Sequence, residues 1–309
     1  MKHIVRILSV LSLLVFLFPV VSSGSTLGKS YILFGINEYD YNYAESSPYA
    51  YVNTATYKYQ NPPSILDREY GATSAFHLEG KLYSQDRSFP WYGGFILEYG
   101  GGIQTYNGGP LDSIIVTAGD TTQVFPQILD NKSNTFTRAS FFVGPFFKVG
   151  ECLVGLNAGI LYYNWYRGVE SYNESYTWYY LPVGAELQWD LNGRLSVGLD
   201  AQYRIMLSGS MQATYDYYSV ILGEQTSADQ FTLGTRNGFY LGIPIQLQID
   251  RKFGIEWKPW FELRPSGISA PVYDQSSGEG YLEPSSTSYS IGISVSLMLG
   301  SFSSLGQTR

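Results

Sequence analysis

The chain has 309 residues, a formal net charge of −7, and 15% charged against 17% aromatic residues, with 28 tyrosines and 33 glycines. This acidic balance excludes nucleic acid as a partner, and the composition favours strands and turns over helices. A single cysteine, Cys152, excludes an intrachain disulfide and a cysteine-based metal site.

The first 24 residues (1–24) are predicted to be a cleaved secretory signal peptide, followed by a single domain over 25–309. Lys2 and Arg6 form a basic start, and an apolar run over 7–21 leads into small residues. A transmembrane anchor is the alternative, but the apolar run is short and contains polar residues. No second apolar stretch of about 18 residues follows, so a helical membrane protein is excluded.

Ten later segments alternate apolar and polar residues as strands do. The predicted strands, in chain order, are 31–43, 66–84, 89–105, 134–149, 152–166, 174–190, 194–207, 232–250, 254–265 and 286–300. The first segment changes phase near 35–37, which predicts a β-bulge there. A short hairpin within 111–128 has arms too short to span a membrane and is placed in a loop.

The clearest signal is a predicted hairpin over 181–207, with a turn at 191–193. Its odd-numbered residues are apolar and its even-numbered ones are polar or small, so one face is apolar and the other is polar. Both arms reach the roughly 9 to 11 residues that a tilted strand needs to cross a bilayer.

Short and long connections alternate along the chain, as in a transmembrane barrel with short turns on one side and long loops on the other. A soluble sandwich or a lipocalin-like barrel also alternates and is the alternative. Charges on the polar face of nearly every strand favour the membrane barrel, since a dry core could not hold them. The predicted fold is therefore an all-β, closed, antiparallel transmembrane β-barrel of about ten strands, with eight or twelve as the alternatives.

Aromatic residues near the strand ends predict two girdles at the membrane interfaces. One end would carry Trp189, Tyr83 and Trp91, and the other Tyr39, Tyr41, Tyr43, Tyr163, Trp165, Tyr203 and Phe239.

The mature chain resembles bacterial outer-membrane β-barrel proteins over its whole length. The last strand resembles their C-terminal assembly signal, with Ser290, Gly292, Val295 and Leu297, although the chain continues to Arg309. The resemblance implies a Gram-negative outer-membrane location after signal cleavage. The implied partners are outer-membrane lipid, lipopolysaccharide and the barrel-assembly machinery.

The polar faces predict a narrow lumen lined by both signs of charge. Counting from the two turns places Tyr180 opposite Arg204 and Tyr240 opposite Arg264, and this layer would form the upper constriction. Arginine over tyrosine is either packing or a ligand platform. The other lumen candidates are Glu186, Asp200, Glu262, Lys258, Glu98, His77 and Glu79.

The predicted extracellular loops hold twelve acidic residues against Lys58, Lys132 and Arg167. They would attract cations, or contact lipopolysaccharide through divalent ions, or be a solvated surface. One loop is rich in tyrosine, which gives a large rigid contact area. Its contact candidates are Tyr49, Tyr51, Tyr57 and Tyr59.

His77 is the only histidine after signal removal, and its place on the polar face beside Glu79 favours a structural role. The sequence therefore predicts a non-enzymatic barrel, without cofactor or metal, that acts in surface interaction or envelope structure. A narrow, porin-like cation-preferring pore is the alternative, and an enzyme using His77 is a third possibility. The extracellular ligand is unknown.

Overall fold

The computed structural model contains strands, turns and no helix in the part of the chain that it describes. The described residues are 28–46, 67–84, 88–108, 117–118, 121–122, 128–169, 172–219, 223–250, 252–273, 280–281 and 283–300. The predicted signal peptide and the four loop tyrosines lie outside these ranges. Within them, no helix is long and apolar enough to cross a membrane.

Sixteen strands are numbered in chain order. They are β1 (Tyr31–Ser46), β2 (Asp67–Tyr83), β3 (Trp91–Gly108), β4 (Thr117–Ala118), β5 (Thr121–Thr122), β6 (Ile128–Val149), β7 (Cys152–Val169), β8 (Tyr172–Asp190), β9 (Leu195–Ser219), β10 (Gly223–Thr232), β11 (Gly238–Gly242), β12 (Ile245–Gln248), β13 (Phe253–Ser266), β14 (Val272–Tyr273), β15 (Gly280–Tyr281) and β16 (Ser285–Leu299). The pairs β4–β5 and β14–β15 are small separate hairpins.

The main sheet closes on itself with every pairing antiparallel. The strands β1, β2, β3, β6, β7, β8 and β9 pair in this order, β13 pairs with β16, and β16 returns to β1 over Ile32↔Leu299 to Ser46↔Ser285. Strands β10, β11 and β12 each pair with β9 on the edge that faces away from β8. They follow one another along β9 and together take the place of one barrel strand. The result is ten positions, which confirms the predicted closed barrel of about ten strands.

The predicted continuous strand over 232–250 is interrupted in the structure. Between β11 and β12, the amide of Gly198 donates to the carbonyl oxygen of Pro244, and the amide of Ile243 donates to that of Pro259. Proline has no amide hydrogen, so the regular ladder cannot run through Pro244. β10 adds a strand segment above β11 that was not predicted.

The outer face of the barrel is apolar and the inner face is polar or aromatic. In the 181–207 hairpin, Leu181, Val183 and Leu199 are exposed on the outside, whereas Glu186, Asp200 and Arg204 face the lumen. The orientation inferred from the sequence therefore holds for this hairpin.

No bulge interrupts β1, contrary to the predicted phase change. Its pairing with β2 is continuous from Tyr31↔Lys81 to Glu45↔Asp67. All odd-numbered residues of β1 therefore face inward, which places Tyr39, Tyr41 and Tyr43 in the lumen. The sequence pattern resembles a phase change because outward residues change from apolar to polar after Ile36, where the inward residues become tyrosines.

The girdle prediction is consequently wrong for every inward-facing aromatic residue. Tyr39, Tyr41, Tyr43, Tyr83, Tyr163 and Trp165 are all buried in the interior. Trp91, Trp189, Tyr203 and Phe239 are exposed on the outer surface, as a girdle requires.

Both predicted tyrosine–arginine pairings are off by two residues. Tyr180 lies opposite Met206, and Tyr240 lies opposite Glu262. The first turn is centred one residue later than predicted, because Asn192 and Asp190 side chains accept amide hydrogen bonds around Gly193, whose φ is +75°. The second turn is centred one residue earlier, since the amide of Ile249 bonds to the carbonyl of Phe253.

Candidate functional site

The lumen is filled by side chains at successive levels. At the end with the short turns, an aromatic and aliphatic layer closes the barrel. This lower layer consists of Tyr31, Leu33, Tyr83, Tyr92, Leu153 and Met298, with Phe142 and Phe146 packed against it. The inner face of β16 carries serine and glycine from Ser286 to Ser296, which leaves room for long side chains from the opposite wall.

A charged layer lies above the lower layer and is here called the mid-lumen network. It consists of Glu79, Glu98, Glu186, Asp200, Glu256 and Glu262 with Lys81, Arg138, Arg204, Lys258 and Arg264, together with His77. Six carboxylates thus face five permanent cations and one histidine. Because the two signs nearly balance, the layer can remain buried without external counter-ions.

Glu262 is the centre of this network. Its Oε2 lies 2.7 Å from Arg204 Nη1 and 3.5 Å from Arg138 Nη1, and its Oε1 accepts a 2.9 Å bond from Arg264 Nη1. Two lysine pairs complete the layer, with Lys258 Nζ 2.8 Å from Glu79 and Lys81 Nζ 2.8 Å from Glu186. These links join β2, β6, β8, β9 and β13 across the bore.

His77 lies between two carboxylates inside the network. Its Nδ1 is 2.8 Å from Glu98 Oε1, and its Nε2 is 3.6 Å from Glu79 Oε2. Only 2% of the residue is exposed. Its contacts among the described residues are therefore those of a lumen histidine within an ion-pair network, which is the arrangement the sequence favoured.

The predicted arginine–tyrosine layer exists with different partners. The guanidinium of Arg204 lies 4.9 Å from the ring centre of Tyr240, not over Tyr180. Arg264 lies 3.6 Å from the ring of Tyr163 and 5.2 Å from that of Trp178, not over Tyr240. The pairing registers at two turns differ from the predicted ones. Each guanidinium therefore stacks on a ring from a different strand than predicted, Arg204 on Tyr240 of β11 and Arg264 on Tyr163 of β7.

An upper aromatic layer covers the arginines. It includes Tyr39, Tyr41, Phe136, Tyr163, Trp165, Tyr176, Trp178, Tyr180, Tyr240 and Trp260. A cavity of about 10 Å³ remains between Tyr41, Gln104 and Asn134, a volume near the minimum for one water molecule. Three oxygens at this cavity, Tyr41 Oη, Gln104 Oε1 and Asn134 Oδ1, have no hydrogen-bond partner in the part of the chain that the structure describes.

A second charged group lies at the end with the long connections. It is here called the mouth cluster and consists of Glu45, Asp67, Glu69, Arg167, Glu174, Tyr176 and Glu283. Arg167 donates to Glu69 and to Glu45, at 2.8 Å each, and to Glu174. Its guanidinium also lies against the rings of Tyr43, Trp165 and Tyr176.

The mouth cluster has far more acids than bases. Five carboxyl groups surround one guanidinium, and each carboxyl residue is no more than 7% exposed. Oδ1 of Asp67 is buried without a hydrogen-bond partner among the described residues. Burial, and then the neighbouring carboxylates of Glu45 and Glu174, raise the pKa of Glu283 well above its ordinary value.

The structure places every described site candidate from the sequence on the inner wall. These residues are Tyr180, Arg204, Tyr240, Arg264, Glu186, Asp200, Glu262, Lys258, Glu98, His77 and Glu79. Sequence reasoning missed the mouth cluster, because it assigned Glu45, Arg167 and Glu283 to loops. The alternation of β7 contained the signal, since Arg167 continues the inward-facing positions of Tyr163 and Trp165.

No family model and no curated protein matches the sequence. Among solved structures, the outer membrane protease OmpT from Escherichia coli aligns with a TM-score of 0.55 and 9% identity, over 88% of this chain and 95% of that one. A FadL homologue from Pseudomonas aeruginosa aligns with a TM-score of 0.32 and 13% identity, over 88% and 90%. The translocator domain of NalP from Neisseria meningitidis aligns with a TM-score of 0.31 and 11% identity, over 87% and 89%.

The closed barrel and the OmpT alignment confirm the predicted resemblance to outer-membrane β-barrels. The prediction that the protein is not an enzyme is corrected by the same alignment, because a protease has this fold. A histidine within an ion-pair network does not decide whether a chain with this fold is an enzyme. At 9% identity the likeness concerns the fold alone.

Proposed function

We propose that this chain is an outer-membrane barrel with a closed lumen that acts at its extracellular end, in surface interaction or in envelope structure. The observation that carries the proposal is the mid-lumen network, whose ion pairs cross the bore between opposite walls. An eight-stranded barrel is filled by its own side chains, and a ten-stranded one is only slightly wider.

Two further layers support a closed bore. The lower layer packs Tyr83 against Tyr92 with parallel rings 5.6 Å apart, and Phe146 meets Tyr83 edge-on at 5.4 Å. The upper aromatic layer covers the opposite side of the network. Because side chains fill the interior, we expect contacts with other molecules to form at the extracellular end.

The location and partners belong to the same proposal. The outer apolar surface would contact outer-membrane lipid, and the acidic extracellular end would meet lipopolysaccharide through divalent cations. Insertion would require cleavage of residues 1–24 and the barrel-assembly machinery. The tyrosines at 49, 51, 57 and 59 are the proposed contact residues of the first loop.

Planar-bilayer recording tests the closed lumen. We expect the inserted wild-type protein to be silent at all voltages. We also expect the double variant Arg204→Ala with Arg264→Ala to stay silent, because the lower layer still closes the bore. Cation-selective steps from the wild-type protein would replace the proposal with the pore.

A peptide-hydrolysis assay on the same preparation tests the remaining alternative. Cleavage that disappears in His77→Ala would establish an enzyme that uses this histidine. Cleavage that persists in His77→Ala would place catalysis elsewhere. A matched control is His77→Gln, which keeps a hydrogen-bonding side chain of similar reach.

A further inference from the structure

The hydroxyl group of Tyr176 has more acceptors than it can serve. Its Oη lies 2.5 Å from Glu283 Oε1 and 2.9 Å from Glu174 Oε2. Arg167 Nη2, at 3.2 Å, and Tyr43 Oη, at 3.4 Å, are its other polar neighbours. A phenol donates one hydrogen, so it can serve only one of the two carboxylates. The other short contact needs a second proton.

Among the described residues, the neighbouring donor groups do not supply that proton. The hydroxyl of Tyr43 donates to Glu45 at 2.6 Å, and Arg167 directs its hydrogens to Glu45, Glu69, Glu174 and the oxygen of Tyr176. The second proton therefore belongs to the carboxyl pair itself. If either Glu174 or Glu283 is protonated, its hydrogen bonds to Tyr176 Oη while the Tyr176 hydroxyl donates to the other carboxylate, so both short contacts become hydrogen bonds.

The charge of the cluster favours the same conclusion. Among the described residues, five buried carboxylates around one guanidinium carry a net charge of 1 − 5 = −4, and one bound proton lowers this excess to −3. Within the described residues, no group of three or more His, Cys, Asp or Glu side chains is arranged to hold a metal ion. A proton is the positive charge that this geometry accommodates.

Glu283 is the member of the pair that can leave. It lies outside the barrel strands, in the connection that leads into β16. Ser269 holds only its backbone, since the Ser269 hydroxyl accepts from the amide of Glu283 at 2.8 Å and the Ser269 amide donates to its carbonyl at 2.9 Å. Among the described residues, the carboxyl group of Glu283 is held by the hydroxyl of Tyr176. Glu174, in contrast, is fixed in β8 and held by Arg167.

We propose that the mouth cluster binds one proton between Glu174 and Glu283 through Tyr176, and that release of this proton to water detaches Glu283 from β8. The groups that act on Glu283 are Tyr43 and Glu45 from β1, Arg167 from β7, and Glu174 and Tyr176 from β8; the other carboxyl groups of the mouth cluster are Asp67 and Glu69 from β2. Arg167 is the one cation among them and is shared by three carboxylates, so it cannot neutralise Glu283 as well.

The direction of the pH dependence follows from the docked state. The pKa of docked Glu283 is raised above that of a solvated glutamate. The docked state therefore binds the proton more tightly than the detached state. Docking is fully favoured below the ordinary pKa of glutamate and is lost as the pH rises through the raised value.

Infrared difference spectra of the full chain, folded in detergent micelles, test the proposal. We expect a carbonyl band of a protonated carboxyl group at acidic pH that disappears on titration to alkaline pH. Glu283→Gln should lack this band while keeping the barrel's circular dichroism. The matched control Glu38→Gln, which removes a half-exposed carboxylate from β1, should retain it. Identical spectra from wild type and Glu283→Gln would overturn the proposal.

Tryptophan fluorescence gives a second readout of the detachment. Tyr176 stacks on Trp165 at 5.2 Å and on Trp178 at 5.3 Å. We expect the emission of the wild-type protein to change as Glu283 detaches at alkaline pH. Glu283→Gln should show a flat profile, because the amide imitates the protonated acid and stays docked. A pH profile that is unchanged in Glu283→Gln would overturn the proposal, as would a wild-type response that depends on added calcium.

Discussion

The mid-lumen network and the mouth cluster are built from the same residue types but differ in charge balance. The network sets six carboxylates against five permanent cations and His77, whereas the mouth cluster sets five carboxylates against Arg167 alone. The charges of the mid-lumen network largely compensate one another, although the Nε atoms of Arg138, Arg204 and Arg264 have no hydrogen-bond partner among the described residues. The mouth cluster lacks such charge compensation, which is the basis of the proposed proton uptake. With the proposed closed lumen, the barrel would combine a plug with a pH-sensitive end.

The largest expected effect comes from Glu262→Gln in the network. This change leaves the guanidiniums of Arg138, Arg204 and Arg264 without their shared carboxylate. We expect the free energy of unfolding to fall by about 3–5 kcal/mol, as measured by urea unfolding of the protein in lipid vesicles. Arginine stays charged at all accessible pH values, so the loss should be the same in mild acid and mild base. A strongly pH-dependent loss would contradict the distinction between the two regions.

Arg167→Met makes the corresponding change in the mouth cluster. It leaves Glu45, Glu69 and Glu174 buried without their cation. We expect a loss of about 3 kcal/mol at neutral pH that shrinks on acidification, because a protonated carboxyl group does not need a counter-charge. The exposed Arg68 on the outside of β2 provides the control Arg68→Met, which should have little effect at either pH. A loss that does not depend on pH would make the two regions equivalent.

His77→Gln tests whether the histidine belongs to the charge balance of the network. The variant keeps a donor toward Glu98 but cannot carry a positive charge between Glu98 and Glu79. We expect unfolding to become easier by about 2 kcal/mol, in the range for a hydrogen bond to a charged group. Urea unfolding of His77→Gln beside wild type measures this, and an unchanged midpoint would show that His77 is neutral packing.

Arg264→Lys has the smallest expected effect, because it preserves the charge. The lysine can still reach Glu262 but loses the planar stack on Tyr163 and Trp178. We expect a loss of about 1 kcal/mol, compared with Arg236→Lys at an exposed position. A loss as large as that of Glu262→Gln would mean that stacking, and not charge pairing, holds this layer together.

The sequence predicted the parts of the fold that depend on alternation. Residues 181–207 alternate without interruption, and their apolar residues do face outward. Alternation also placed Glu186, Asp200 and Arg204 inside the barrel. It could not fix which residues meet across the bore, because pairing depends on turn centres. A shift of one residue in each turn was enough to move Tyr180 and Tyr240 away from their predicted partners.

Aromatic residues were the main source of error. Tyr39 and Trp165 fit an interfacial girdle by their distance along the strand, but their parity places them inside. Tyrosine is compatible with both environments, since it has an apolar ring and a polar hydroxyl. The mouth cluster was missed for a related reason. β7 extends to Val169 and β8 begins at Tyr172. Arg167 and Glu174 are therefore strand residues, although charged residues of this kind are typical of loops.

The serine-lined inner face of β16 has a consequence for assembly. The seam between β1 and β16 joins the two ends of the domain, with Ile32 paired to Leu299, and such distant contacts are slow to form. The serines and the glycine on the inner face of β16 occupy little of the lumen. We therefore expect β16 to pair last with little rearrangement of the side chains that fill the barrel.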